Sequence, residues 1–233
     1  MPRVTTDAII IGHIDYLESD KIICALTRDH GIINAIARGA KRSKKRFPGT
    51  LEPFCEVVLE LFSRRGMDLY RIESATLRTA NLGIREDLAL FAHASILLEV
   101  IREHLGPQDP SPEAFECLKG ALTSMESARH WFSVWSIALL SILRTLGYGI
   151  DLTGPIKECG DTLSPFSRLS PEAFVCLEKG MALDPGVLTK LSVGHSAQRE
   201  ITRCLLQVCT TISEKPLKTA AFLAKLLDLD MNQ

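Results

Sequence analysis

Apolar positions follow two different periods along this chain. From Thr6 to about Leu77 they come as short runs and alternations, the two-residue period of strands; beyond Asn81 they recur at helical spacing. The first region predicts five strands. Ala8–Ile14 (AIIIGHI) is a short apolar run, and Leu17–Asp20 is a polar turn. Lys21–Thr27 (KIICALT) follows, rich in β-branched residues. Arg28–Gly31 (RDHG) is a tight turn in which Gly31 suits a positive φ, and Ile32–Ala37 is the third strand. Across Pro53–Ser63, Cys55, Val57, Leu59 and Leu61 fall on one face, with Glu56 and Glu60 on the other. Arg64-Arg65-Gly66 reads as a hairpin turn, and Asp68–Leu77 closes the set.

No helical pattern interrupts these strands, so they imply an antiparallel meander or small barrel. Five short strands in a region of this length fit an OB-type barrel, a fold that holds single strands on one face and its loops. The third strand runs directly into RGAKRSKKRFPG, Arg38–Gly49. Six of the nine residues from Arg38 to Arg46 are basic (Arg38, Lys41, Arg42, Lys44, Lys45, Arg46) and none is acidic. The chain as a whole carries 27 basic and 28 acidic residues, so outside this run the balance is 21 against 28, a charge of −7. A net charge near zero therefore hides one positive loop on an acidic body. Gly39, Ser43, Pro48 and Gly49 punctuate it as a mobile loop. A solvated charge run and a polyanion site both fit this pattern. For a polyanion, the six loop cations would be the main phosphate contacts, with Arg28, Arg64 and Arg65 as secondary contributors. Tyr16, Phe47, Phe54, Phe62 and Tyr70 offer stacking surfaces. Core packing is the commoner role for each, except Phe47, which lies inside the basic loop.

In the second region Ile84, Leu88, Phe91, Leu98, Ile101 and Leu105 form a helical stripe, stopped by Gly106-Pro107. Ser111-Pro112-Glu113 opens a helix with Phe115, Leu118, Leu122 and Met125 as its buried stripe. Arg129–Leu146 is apolar on most sides, which predicts the central helix of a bundle, with Trp131 and Trp135 in its core. Tyr148–Leu169 is irregular. Short helices at Ala173–Lys179 and Asp184–Val193 precede longer ones at Ser196–Ile212 and Leu217–Leu229. The fold class is thus α+β, with domains at 1–80 and 81–233 and an irregular region at about 147–183.

Seven scattered cysteines, with no CxxC pair, read as free thiols of a reducing cytoplasm. No apolar stretch approaches a membrane span, and the N-terminal residues do not read as a signal peptide. No Walker loop, HExxH or Gly-x-Ser-x-Gly occurs, and the six histidines lack ligand spacing.

Four segments carry a family resemblance: DAIIIGHIDYLESDKIICALTRDHG at Asp7–Gly31, AIARGAKRSKKRFPGTLEPF at Ala35–Phe54, RTLGYGIDL at Arg144–Leu152 and EKPLKTAAFLAKL at Glu214–Leu226. Together they resemble the RecO family of bacterial recombination mediators. The resemblance implies an OB-fold followed by a helical domain, in a protein that is not an enzyme. It implies binding of single- and double-stranded DNA, annealing of complementary strands, and joining RecR to help RecA replace single-stranded-DNA-binding protein (SSB). It also implies a cytoplasmic, nucleoid-associated location. A helical-domain site for the acidic, aromatic-ended SSB tail would need cations, for which Arg129, Arg144, Arg203, Lys215 and Lys218 are candidates.

Many family members carry two CxxC pairs after the Leu-Gly-Tyr element, spaced as a four-cysteine zinc site. Here those positions are Ile156 and Cys159, then Cys176 and Lys179, so two thiols remain of four. A tetrahedral site needs all four ligands, and no bound zinc or other cofactor is expected. Packing of Phe166, Leu169, Phe174, Val175 and Leu177 would hold the region instead. Two other functions stay open. One is a protein–protein adaptor with incidental DNA binding. The other is a metal-dependent nuclease, for which only Glu56 and Glu60 share a strand face.

Overall fold

The computed structural model describes residues 3–42, 45–62, 69–150, 152, 165–213 and 215–228. The chain divides into two compact units, one of Met1–Leu82 with Ile101–Lys119, the other of Gly83–Val100 with Gly120–Gln233.

In the first unit five strands close a barrel in the order β1-β2-β3-β5-β4: β1 (Arg3–Tyr16), β2 (Asp20–Thr27), β3 (Gly31–Ala37), β4 (Glu56–Phe62) and β5 (Leu69–Thr79). This is the OB-type barrel that the strand period implied. Every pairing is antiparallel except β3 with β5, which is parallel. β1 is longer than its apolar run, because its first half pairs with β4 and its second half with β2. A register shift between Ile10 and Gly12 lets one strand serve both neighbours. Alternate residues fill the interior: Ala8, Ile10, Ile23, Ala25, Ile33, Ala35, Val57, Leu59, Leu61 and Ile72. Glu56 departs from the reading of a solvated acid. It is buried, and its Oε1 accepts from Lys119 Nζ at 2.7 Å.

The turn between β2 and β3 is held from outside. Gly31 has φ +63°, and a Cβ there would stand 2.3 Å from the carbonyl oxygen of Asp109. The Gln108 N–H donates to Ile32 O at 3.1 Å, so residues 107–109 lie directly on this turn.

The helices are α1 (Leu82–Glu86), α2 (Leu88–His104), α3 (Pro112–Ser127), α4 (Trp131–Thr145), α5 (Pro171–Gly180), α6 (Pro185–Leu188), α7 (His195–Ile212) and α8 (Lys218–Leu226). The single stripe expected over Ile84–Leu105 is broken at Asp87, whose side chain accepts from the Leu90 N–H and so starts α2 afresh. Leu88 and Phe91 are consequently exposed, not buried. Ser111 starts α3 as expected, accepting from the Ala114 N–H. α4 is buried from Phe132 to Leu140 without a gap, as its all-round apolar character predicted. Gly180 permits close approach to α4, since a Cβ there would meet Ile137 Cδ1 at 2.5 Å. The N-terminus of α8 is capped from a distance: Glu99 on α2 accepts from the Lys218 and Thr219 N–H groups at 2.9 and 2.8 Å. A buried carboxylate thus satisfies donors that Leu217, at the cap position, has no side-chain acceptor for.

Gly31 and Gly39 separate two costs of adding a methyl group. Both have positive φ, but nothing lies within 4 Å of a Cβ at Gly39. Urea unfolding should show Gly39→Ala costing about 1 kcal/mol. Gly31→Ala, which also meets backbone, should cost about 3 kcal/mol.

Candidate nucleic-acid interface

The basic segment leaves β3 at Ala37 and is not a free loop. The Asp20 carboxylate, at the start of β2, accepts from the Gly39 N–H at 2.8 Å and from Ser19 Oγ at 2.7 Å. The Gly39 hydrogen bond holds the Asp20 carboxyl below its ordinary range. The Lys41 N–H donates to Ser19 O at 2.9 Å, and the Arg42 N–H to Gly39 O at 3.1 Å, forming successive turns. At its far end the segment is anchored by Phe47. Sequence reasoning excepted this ring from core packing as a candidate stacking surface; it is 7% exposed and belongs to the barrel core, with the Arg46 guanidinium 5.1 Å over its centroid. Burying the ring recovers more free energy than leaving it in water among cations, and it turns the anchor into a plug for the barrel end.

Arg38, Lys41, Arg42, Lys45 and Arg46 are all exposed around this frame. Lys41 Nζ lies 3.1 Å from Asp15 Oδ2, and Arg42 Nη2 3.1 Å from Glu18 Oε2. The Lys41 hydrogen bond lowers the Asp15 pKa. Both pairs are solvent-exposed, so a phosphate competes with each carboxylate at little cost. Arg46 Nη1 donates to Arg38 O at 3.0 Å. Lys44, Arg64 and Arg65 lie outside the described residues. Arg28 stands at the opposite end of the β2–β3 hairpin, 3.6 Å from Glu116, so it is not gathered with the loop cations. Of the candidate stacking aromatics, Phe54 is fully buried, Phe62 and Tyr70 are half-buried, and Tyr16 is exposed.

The helical unit contains a cavity of about 550 Å³ lined by His93, Trp131, Phe132, Arg199, Leu226 and their neighbours. Trp135 is fully buried as expected, but Trp131 is half-exposed on this cavity's wall. His93 sits edge-on to three rings, with centroids 4.9 Å from Trp131, 4.6 Å from Trp135 and 5.8 Å from Phe132. Its Nδ1 lies 2.7 Å from the Ala89 carbonyl, so the neutral ring donates there, and the buried Nε2 has no partner. None of Arg129, Arg144, Arg203, Lys215 and Lys218 lines this cavity; among the described residues its cationic wall is Arg199, with His195 beside it. His195 and Arg199 share one face of α7, four residues apart, but that this face lines a cavity depends on Trp131, Phe132 and His93, which come from other parts of the chain.

Residues 1–80 match the family model described as "Recombination protein O N terminal", and residues 85–193 match "Recombination protein O C terminal". Three relatives, each named DNA repair protein RecO, are similar to this chain. The protein of Myxococcus xanthus is 37% identical over 127 residues, 54% of this chain and 52% of that one. That of Geobacter metallireducens is 34% identical over 152 residues, 65% of this chain and 62% of its own length. That of Syntrophotalea carbinolica is 31% identical over 204 residues, 85% and 78% respectively. The chain belongs to the RecO family.

The alignments span about half of the first relative and more than three quarters of the third. The four-cysteine zinc spacing that the resemblance brought in for comparison does not fit the residues of this chain, which has Ile156 and Lys179 at two of the four positions. Ile156 and Cys159 lie outside the described residues. Cys176 is buried on α5, its thiol pushed up to about 11 by burial, and Lys179 is no ligand. Among the described residues no three His, Cys, Asp or Glu side chains gather as a metal site. Phe166, Ala173, Cys176 and Leu177 are buried there, whereas Val175, expected to pack, is exposed. No helix of the described residues is long and apolar enough to cross a membrane.

Burial lowers the His93 pKa from 6.5 to about 4. The unfolded chain therefore binds a proton at this side chain between those values and the folded chain does not, so stability is full above pH 6.5 and falls on acidification towards pH 4. Between pH 7.5 and 5 the wild type should lose about 2 kcal/mol more than His93→Phe. Urea titrations of both proteins at the two pH values measure the difference, in which all other titrating groups cancel.

Proposed function

We propose that this chain is a non-enzymatic DNA-binding protein of recombinational DNA repair. It works in the bacterial cytoplasm, associated with the nucleoid. It anneals complementary strands and, with RecR, helps RecA load on single-stranded DNA coated with SSB. The observation that carries this reading is the basic segment: five described cations, exposed on turns that Asp20 and Phe47 pin to an OB-type barrel, in a chain of the RecO family. Lys and Arg so placed neutralise phosphates without reading sequence. Annealing breaks and forms no covalent bond. It needs strands whose mutual repulsion is screened and which are held close together, and an arc of cations on a rigid frame meets that need. A strand-annealing assay with SSB-coated complementary oligonucleotides tests the reading; no acceleration over the uncatalysed rate refutes it.

The helical cavity supports a second contact, to the C-terminal tail of SSB. An aromatic-ended acidic peptide needs an apolar pocket with a cation at its rim. Trp131, Phe132 and Leu226 supply the walls and Arg199 the charge. A helical domain used in this way is also what an adaptor would possess, and in that reading loss of the basic segment leaves repair unaffected.

Two measurements separate these roles. Affinity for single-stranded DNA should fall with salt at a log–log slope of about −3 if four cations engage phosphates. Lys44, Lys45 and Arg46 changed together to alanine should reduce the slope's magnitude by about 2, equally across sequences. In fluorescence anisotropy with an SSB-tail peptide, Arg199→Ala should weaken binding about tenfold, as expected for a charge-assisted contact, while the triple variant binds normally.

A further inference from the structure

The six residues from Asp15 to Asp20 carry three acids, and these meet the basic segment in two different ways. Asp20 accepts from the Gly39 N–H, so it holds main chain. Asp15 and Glu18 meet side chains instead: Asp15 Oδ2 the Lys41 ammonium and Glu18 Oε2 the Arg42 guanidinium, each at 3.1 Å. Leu17, between them, has φ +50°, and the reversal of the chain there brings an acid from either side of it onto the segment. Lys21 stands directly opposite Asp15 across the β1–β2 pair and is the ready partner by strand register. It turns to Glu52 Oε1 at 3.1 Å and His13 Nε2 at 3.3 Å, and Asp15 pairs with Lys41. The main chain of both cations is held separately, the Lys41 N–H by Ser19 O and the Arg42 N–H by Gly39 O. Either ion pair can therefore open without loosening the frame. With the Asp15 side chain 62% exposed and that of Glu18 90%, both acids sit in water, and such pairs are weak enough to exchange.

We propose that Asp15 and Glu18 are built-in competitors for DNA phosphates: they occupy Lys41 and Arg42 in the free protein, yield them to a strand, and reclaim them as it leaves. This rests on the reading of the basic segment as a DNA contact and adds control of strand release to it. A displaced carboxylate does not diffuse away. It stays tethered beside its cation, at a high effective concentration, and meets that cation whenever a phosphate lifts off. Contacts of the strand are thus lost one at a time to a waiting partner, which shortens the life of the complex. Lys45 and Arg46 lie beyond this turn in the chain and are not gripped by its acids, so the segment is divided into cations that hold and cations that let go. Annealing needs both, because a protein that only gripped phosphates would keep the paired product and stop after one round.

The test uses the full chain and labelled oligothymidylate chased with an excess of the unlabelled strand. Asp15→Asn with Glu18→Gln should bind about fivefold more tightly than the wild type, the gain lying mainly in slower dissociation. Asp29→Asn with Glu60→Gln makes the same change of net charge away from the segment, in the β2–β3 turn and on β4, where Glu60 accepts from Ser74 Oγ. At physiological salt, charges so placed are screened, and this control should dissociate at the wild-type rate. With Lys41 and Arg42 both changed to alanine, adding Asp15→Asn and Glu18→Gln should alter affinity by less than about twofold, since the acids then have no cation to reclaim. An unchanged dissociation rate in the acid variant, an equal slowing in the control, or an undiminished effect of the acids without Lys41 and Arg42 overturns the proposal and leaves the basic segment's role intact. A wild type that binds no oligothymidylate overturns that role and the proposal with it.

Discussion

Like charges crowded on a short stretch of chain repel one another, and holding them in place is the constraint on which the basic edge of this barrel depends. The hydrogen bond from the Gly39 N–H to the Asp20 carboxylate and the insertion of Phe47 into the barrel meet that constraint from the two ends. Neither uses the cationic groups themselves. Charge is therefore presented by a frame that does not depend on the charge being neutralised. Preorganisation of this kind reduces the ordering that binding must otherwise bring about.

The helical unit solves the opposite difficulty, polar groups that must leave water. Glu99 does so by serving two backbone donors of α8, and Ser133 by donating to Leu191 O at 2.6 Å. At the surface the exposed Glu172 accepts from the Gly194 N–H at 2.8 Å, and the half-buried Glu200 accepts from the Ser170 N–H at 2.9 Å. Each joins elements far apart in the chain, so the polar residues of this unit specify which helix ends meet. His93 is the partial exception. Its ring gives one proton to Ala89 and keeps an unmet acceptor among aromatic rings, beside the cavity whose wall it helps to form.

Periodicity made the barrel legible, since strand interiors such as Val57-Leu59-Leu61 alternate without ambiguity. The basic segment was legible through composition. What escaped were residues whose partners lie elsewhere in the chain. Phe47 is surrounded by cations in sequence and by Leu51 and Ala37 in the core. Glu56 obeys the strand alternation of an outward acid, yet Lys119 from α3 meets it there. Arg28 shares its charge type with the basic segment but stands at the other end of a hairpin, a distance that charge counting does not see. Arg199 and His195 line a cavity only through the packing of α7 beside α4.

The doubly paired strand β1 has a consequence for how the barrel is assembled. Its second half finds β2 within a few residues, but its first half waits for β4, pairing Thr5 with Glu60. The parallel seam of β3 with β5 is short and also long-range, pairing Asn34 with Leu69. The β1–β2–β3 meander is thus local and quick to form, whereas closure is late and governed by long-range loop entropy. Until β5 has left the ribosome, the meander offers two open edges to any neighbouring strand.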